Sequence, residues 1–124
     1  MTRTTKEKDI LFIIVAGDPF YKKLRWKDKY KEPILLTGFN FRAVFIYNFG
    51  ENNVLTELTT ENGGITLNES AGEINLYIPS LTTSTLKSYD EGLWRLEYAT
   101  SVNPEFKKLI GGRWSVKPDM WKWV

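Results

Sequence analysis

The sequence predicts an all-β domain, because short runs of alternating apolar and polar residues recur along the chain with turn residues between them. Pairs such as Gly63-Gly64 and Ala71-Gly72 let the chain reverse at low cost. Helical patterns are short, and one helical turn is predicted near residues 80–88 with Ser80 as its N-cap. Seven or eight such strands predict an immunoglobulin-like antiparallel β-sandwich, with a closed barrel as the alternative.

The chain divides into an arm, one domain and a tail. Its 124 residues suffice for one domain with a modest core. Residues 1–8 are polar and aperiodic, and they predict a flexible N-terminal arm. Residues 9–118 contain the predicted β-sandwich domain, and residues 119–124 form a Trp-rich C-terminal tail.

The first two strands are predicted at residues 9–16 and 20–28. The first run is rich in β-branched residues and apolar on both faces, as expected of a strand that is covered on two sides, by a second layer or by a neighbouring subunit. The second run alternates, and its predicted inward side chains are Phe20, Leu24 and Trp26.

The longest strand in the first half is predicted at residues 39–48. Successive side chains of a strand point to opposite faces, so one face should belong to the core and carries Phe39, Phe41, Ala43, Phe45 and Tyr47. The other face carries Val44 and Ile46, which makes it more apolar than a solvated face should be. A partner surface explains this, and coverage by the chain's own arm or tail is the alternative.

The remaining strands are predicted at residues 54–60, 65–68, 74–78, 93–101 and 106–117. Trp94 and Trp114 fall on the inward registers of the last two, where core packing is expected. The pair Gly111-Gly112 predicts a bulge or a place where another backbone approaches closely.

Composition argues against catalysis and against charged partners. The 17 basic and 15 acidic residues give a net charge of +2, so neither nucleic acid nor an anionic membrane is expected as a partner. The chain has no cysteine and no histidine, which removes the usual nucleophile, base and metal ligands. The plausible carboxylates lie in turn-like contexts, namely Asp18, Asp28, Asp90 and Glu91. We therefore expect no enzyme activity, no cofactor and no metal.

The sequence also favours a cytosolic origin. The apolar run at residues 10–16 is far shorter than the roughly 20 residues of a membrane helix. The first nine residues contain acidic side chains and do not resemble a signal peptide. We expect a protein that is made in the cytosol and either stays there or is assembled there into something larger.

Several segments resemble small β-sandwich proteins from the structural modules of tailed bacteriophages. They are RWKD at 25–28 after Gly17-Asp18, LTGFNFR at 36–42, LTTENGGITL at 58–67, GEINLYIP at 72–79 and WRLEY at 94–98. The chain is similar, over residues 9–117, to the N-terminal domain of siphophage baseplate proteins that carry receptor-binding proteins. This resemblance implies a virion component without catalytic residues, serving as an adaptor or a decoration protein.

Assembly with other virion proteins, in multiple copies, is therefore the expected function. The expected partner-binding residues are Val44, Ile46, Met120, Trp121, Trp123 and Val124, since tryptophan contributes strongly to interfaces. The tail should dock on an adjacent subunit, with folding back over its own sandwich as the alternative.

The position within the virion, as a tail, baseplate or fibre-attachment adaptor or as a capsid decoration protein, stays open. A carbohydrate-binding module is the competing function. Its candidate stacking residues are Tyr21, Tyr30, Tyr77, Trp121 and Trp123, and they are scattered along the sequence.

Overall fold

The chain folds into two packed β-sheets, as seen in a computed structural model that describes residues 10–47, 53–87 and 90–117. Within these residues there are eight strands, one short 3-10 turn at Glu69–Ala71 and one helical turn, α1, at Ser80–Thr83. The strands are β1 (Phe12–Ile14), β2 (Phe20–Arg25), β3 (Phe39–Tyr47), β4 (Val54–Thr59), β5 (Ile65–Asn68), β6 (Glu73–Ile78), β7 (Glu91–Thr100) and β8 (Lys107–Val116).

The two sheets have open edges. The large sheet has five strands in the order β1-β8-β7-β3-β4, and the small sheet has three in the order β2-β6-β5. All neighbours are antiparallel except β1 and β8, which run parallel. The described part of the chain is therefore an immunoglobulin-like sandwich, as predicted, and it does not form the closed barrel.

Aromatic residues fill the space between the sheets. Phe45, Trp94 and Trp114 are almost fully buried, and the rings of Phe12 and Trp94 stack with centroids 4.1 Å apart. Trp26 is half-buried and meets Phe39 edge-on at 5.3 Å. The inward registers predicted for these tryptophans are confirmed, and aromatic burial of this size contributes much of the core.

The described residues cover only one face of the first strand, and the predicted coverage of its other face by a neighbouring subunit stays a prediction. β1 is only three residues long and lies at the edge of the large sheet. Phe12 and Ile14 are buried, but Leu11 and Ile13 are 51% and 49% exposed. The apolar run therefore combines one core face with one face that no described residue covers.

The helical turn begins differently from the prediction. Ser80 is the first helical residue, and Pro79 occupies the N-cap position without a side-chain hydrogen bond. Thr83 is fully buried, and its hydroxyl donates to the Asp18 carbonyl oxygen at 2.7 Å while accepting from the Gly17 amide at 3.1 Å. These bonds fix the helical turn against the loop between β1 and β2.

The predicted close approach at Gly111-Gly112 is confirmed. The Ile10 amide donates to the Gly111 carbonyl oxygen at 3.2 Å, and a Cβ atom on Gly112 would overlap the Ile10 carbonyl oxygen. The shift in pairing lies nearby at Leu109, because Ile110 pairs with Leu96 while Lys108 pairs with Glu97. Glycine is thus needed at position 112, because the backbone of Ile10, just before β1, passes close to it.

Candidate docking face

The outer face of the large sheet carries a row of apolar residues that crosses several strands. Val54 of β4 pairs with Ile46 of β3, Ile46 pairs with Leu93 of β7, and Leu93 pairs with Arg113 of β8. Leu11 continues this series next to Arg113, since both line the same shallow depression. We call Val54, Ile46, Leu93 and Leu11 the apolar row. The charged Arg113 lies within this row, between Leu93 and Leu11.

The apolar row is open to solvent. Val54 and Leu93 are 52% and 45% exposed, and Leu11 is exposed by half. Val44 and Ile46, the two residues that the sequence singled out, are half-buried on the same face. Exposed apolar residues that lie singly need no explanation, but a contiguous row on one sheet face is a typical feature of an interaction surface.

A groove of about 420 Å³ lies across the middle of the apolar row. Its walls come from three neighbouring strands and include Val44, Ile46, Leu93, Arg95, Lys108 and Arg113. Gly111 pairs with Arg95 on this face and contributes no side chain, while Trp94 and Gly112 complete the lining. The Lys108 side chain lies over this position, since its Cε atom would be 3.2 Å from a Cβ atom on Gly111.

Charges concentrate at one end of this face. Glu97 is 8% exposed and accepts hydrogen bonds from Arg42 Nε at 2.8 Å and Nη2 at 2.6 Å. The same carboxylate lies 2.6 Å from Arg95 Nε, and the Arg42 guanidinium is 4.1 Å from the Phe106 ring centroid. Two arginines and one nearly buried carboxylate thus form a cross-strand cluster, which is stronger than an exposed pair.

Arg113 differs from the arginines of that cluster. It is exposed, it lies in the apolar row, and its guanidinium has no hydrogen bond or ion pair with any other described residue. Arg113 also borders both the groove and the neighbouring depression, which Leu11 and Glu91 help to line. A guanidinium in such a position can still accept a carboxylate partner.

Two buried tryptophans lie beneath the outer face of the large sheet and donate hydrogen bonds to backbone carbonyl oxygens. Trp114 Nε1 donates to the Ile46 carbonyl oxygen at 3.0 Å, and Trp94 Nε1 donates to the Ile10 carbonyl oxygen at 2.9 Å. Gly92 lies in the path of the first bond, since a Cβ atom there would overlap the Ile46 carbonyl oxygen. Glycine at position 92 is therefore required for Trp114 to reach the end of β3.

The outer face of the small sheet has a different chemistry. Glu73 lies 3.6 Å from Lys23 Nζ and accepts from Arg25 Nε at 3.2 Å. Desolvation raises the pKa of Glu73, but the charges of Lys23 and Arg25 and hydrogen bonds from Arg25 and Asn68 outweigh it and lower the pKa overall. This face is polar and internally paired at that end.

Two of the candidate stacking residues meet on the small sheet. Tyr21 and Tyr77 are cross-strand partners with ring centroids 5.0 Å apart, and Tyr21 is 70% exposed. Tyr30 is exposed in the loop after β2, where Lys29 lies over its ring. The sequence separates Tyr21 from Tyr77 by 56 positions, so only the strand register reveals this pair.

Two of the four carboxylates considered for catalysis, Asp28 and Asp90, accept hydrogen bonds from nearby backbone amides. Asp28 Oδ1 accepts from the amides of Tyr30 at 2.8 Å and Glu32 at 3.0 Å. Asp90 Oδ2 accepts from the Lys87 amide at 2.9 Å. Among residues 10–47, 53–87 and 90–117, no group of three or more acidic, histidine or cysteine side chains is arranged to hold a metal ion.

The tail residues proposed for docking are Met120, Trp121, Trp123 and Val124, and they lie outside the described residues. Sequence reasoning missed Leu11, Leu93 and Arg113. A usable signal existed for Leu93, because it precedes Arg95 by two positions and so shares its outward register.

No helix in the described part of the chain is long and apolar enough to cross a membrane.

No protein-family model matches the chain, and no curated protein is detectably similar to it in sequence. Among solved structures, the chain is similar to the N-terminal domain of phage TP901-1 ORF48, with 7% identity, 92% of this chain and 91% of that chain covered, and a TM-score of 0.49.

Two further solved structures are similar to a comparable degree. The NK cell receptor Nkp44 has 10% identity, 90% and 100% coverage and a TM-score of 0.48. Tim-1 has 15% identity, 94% and 99% coverage and a TM-score of 0.46. A phage domain, an NK cell receptor and Tim-1 thus share this level of likeness, which carries no inference about function.

Proposed function

We propose that the chain is a non-enzymatic structural protein of a bacteriophage virion, acting as a tail, baseplate or fibre-attachment adaptor through protein–protein contacts. The observation that carries this proposal is the exposed apolar row on the large sheet. The phage-like segments of the sequence, such as LTTENGGITL at residues 58–67, direct the proposal towards a virion.

The chemistry of the outer face suits a protein partner. Leu93, Val54 and Leu11 offer apolar area that association would remove from water. Arginine beside apolar residues is enriched among the side chains that dominate binding energy. Nucleic acid fits poorly, because the nearby cations Arg42 and Arg95 are already paired with Glu97.

The proposed partners are other virion proteins, with many copies of this chain in a symmetric assembly formed in the host cytoplasm. Val44 and Ile46 contribute from the large sheet, and Met120, Trp121, Trp123 and Val124 contribute from the tail. The outer face of the large sheet supplies only part of such a contact, and an apolar tail adds rigid aromatic area to it.

Quantitative mass spectrometry of purified phage particles tests this function. We expect the chain at a constant copy number per particle, and we expect full-length W121S/W123S to be depleted at equal expression. The chain's absence from particles whose other structural proteins are complete would contradict the function. If the double variant reaches the wild-type copy number per particle, the tail is not part of the proposed interface.

Carbohydrate binding is a second candidate, favoured by the exposed Tyr21 and Tyr77 pair. A glycan array with the wild type and the Y21A/Y77A variant separates the two functions. Selective binding to one saccharide class that the double variant loses would favour a sugar-binding module. Electron cryo-microscopy of particles would distinguish an adaptor from a capsid decoration protein by its position.

A further inference from the structure

We infer that the groove of the large sheet receives an acidic and apolar segment of a partner protein, with a carboxylate against Arg113 and apolar side chains against Leu93 and Ile46. This inference rests on the proposed function and specifies the chemistry of the partner which that function requires. It is carried by the charge of the groove and by the apolar row that crosses it.

The groove lining is cationic. Arg95, Lys108 and Arg113 contribute to it, and none of its described lining residues is acidic. Glu97, just outside, neutralises Arg95 at 2.6 Å and is shared with Arg42. The Arg113 guanidinium forms no ion pair with a described residue, although Glu91 lines the neighbouring depression with it. An arginine fork matches a carboxylate with two parallel hydrogen bonds.

Apolar contacts flank this charge on both sides. Leu93 pairs with Arg113 across β7 and β8, and Ile46 follows one strand further. Leu11 lies on the opposite side of Arg113. Neighbouring strands are separated by about 4.8 Å, so an occupant that follows the row meets apolar, cationic and apolar positions in turn.

Other kinds of occupant match these features less well. A polyanion needs a continuous track of cations, but Glu57 and Glu97 pair with Arg42 and Arg95 beside the groove. A purely apolar occupant would bury the Arg113 guanidinium without a partner, which carries a desolvation cost. An occupant that places a carboxylate among apolar side chains avoids both penalties.

Selection from a random 12-residue peptide library displayed on yeast, with the purified full-length protein as bait, tests the inference. We expect selected peptides to carry Asp or Glu next to Leu, Ile or Phe. For synthetic copies of these peptides, R113E should weaken binding about tenfold or more, as loss of an interfacial charge pair does. Raising the salt concentration should weaken binding by the wild type.

K29E is the matched control, because it changes the net charge by the same amount in an exposed loop. We expect K29E to bind like the wild type. Equal loss in both variants, or selected peptides without acidic residues, would overturn the inference. A dimer in sedimentation that L93E abolishes, without peptide binding, would assign the groove to a second copy and overturn it too.

Full-length W121S/W123S tests whether the chain's own C-terminal tail occupies the groove. If peptides bind only to this variant, the chain's own tail fills the groove and the inference is wrong. Particle occupancy keeps the two claims separate. A chain that is present in particles but ignores acidic peptides refutes only the partner chemistry, whereas peptide binding by a chain absent from particles refutes only the virion function.

Discussion

The outer faces of the two sheets use the same strand alternation for opposite purposes. The large sheet exposes Leu93 and Val54 in a row, with Arg113 unpaired among the described residues. The small sheet pairs Glu73 with Lys23 and Arg25 and is polar around that site. Alternation alone determines which residues face outward, and the chemistry of those residues separates a surface suited to a partner from a surface suited to water.

Trp114→Ala, which changes the core beneath the outer face of the large sheet, should cause the largest loss of stability. The change removes a fully buried side chain and its hydrogen bond to the Ile46 carbonyl oxygen. We expect a loss of about 3–5 kcal/mol in the free energy of unfolding, measured by chemical denaturation. Trp114→Phe keeps most of the volume and should lose less, and equal losses would show that the hydrogen bond dominates.

Gly92→Ala should have the next largest effect. Its new Cβ atom would collide with the Ile46 carbonyl oxygen, so β3 and β7 must separate at the apolar row. We expect a loss of about 3 kcal/mol in unfolding free energy. Thr66→Ala on the exposed face of the small sheet is the control and should change stability by less than about 0.5 kcal/mol. A stable Gly92→Ala variant would contradict the close packing described at this position.

Neutralising one carboxylate on each outer face compares the two charge networks. Glu97→Gln leaves Arg42 and Arg95 without their shared, nearly buried partner, and we expect a loss of about 1–3 kcal/mol in unfolding free energy. Glu73→Gln should cost less, because its ion pairs with Lys23 and Arg25 are longer, at 3.6 and 3.2 Å, than the 2.6 Å pairs of Glu97. Equal effects in denaturation experiments would mean that the two networks do not differ in strength.

Glu73 also gives the smallest predicted effect, a dependence on pH. The pKa of Glu73 is lower in the folded protein than its usual value of 4.5, so its ionised form stabilises the fold above that pH. This stabilisation is lost as the pH falls through the lowered pKa. The difference in unfolding free energy between wild type and Glu73→Gln should therefore shrink in acid. A difference that grows in acid would contradict the assignment.

The fold was more predictable than the site. Alternation in residues 39–48 correctly separates Phe41 and Phe45 from Val44 and Ile46, because strand periodicity is local. The apolar row depends on the register of five strands, which no local pattern contains. The run around Leu11 and Ile13 shows the same limit, since an edge strand with one open face can be as apolar as a central strand.

The copy number of the chain in purified particles, measured for Leu93→Glu and Thr66→Glu, tests the role of the large sheet most directly. Both changes place a glutamate at an exposed strand position, one on each outer face. At equal expression and equal unfolding free energy, we expect Thr66→Glu to keep wild-type occupancy and Leu93→Glu to fall about tenfold or more. Wild-type occupancy of Leu93→Glu would contradict docking through this face.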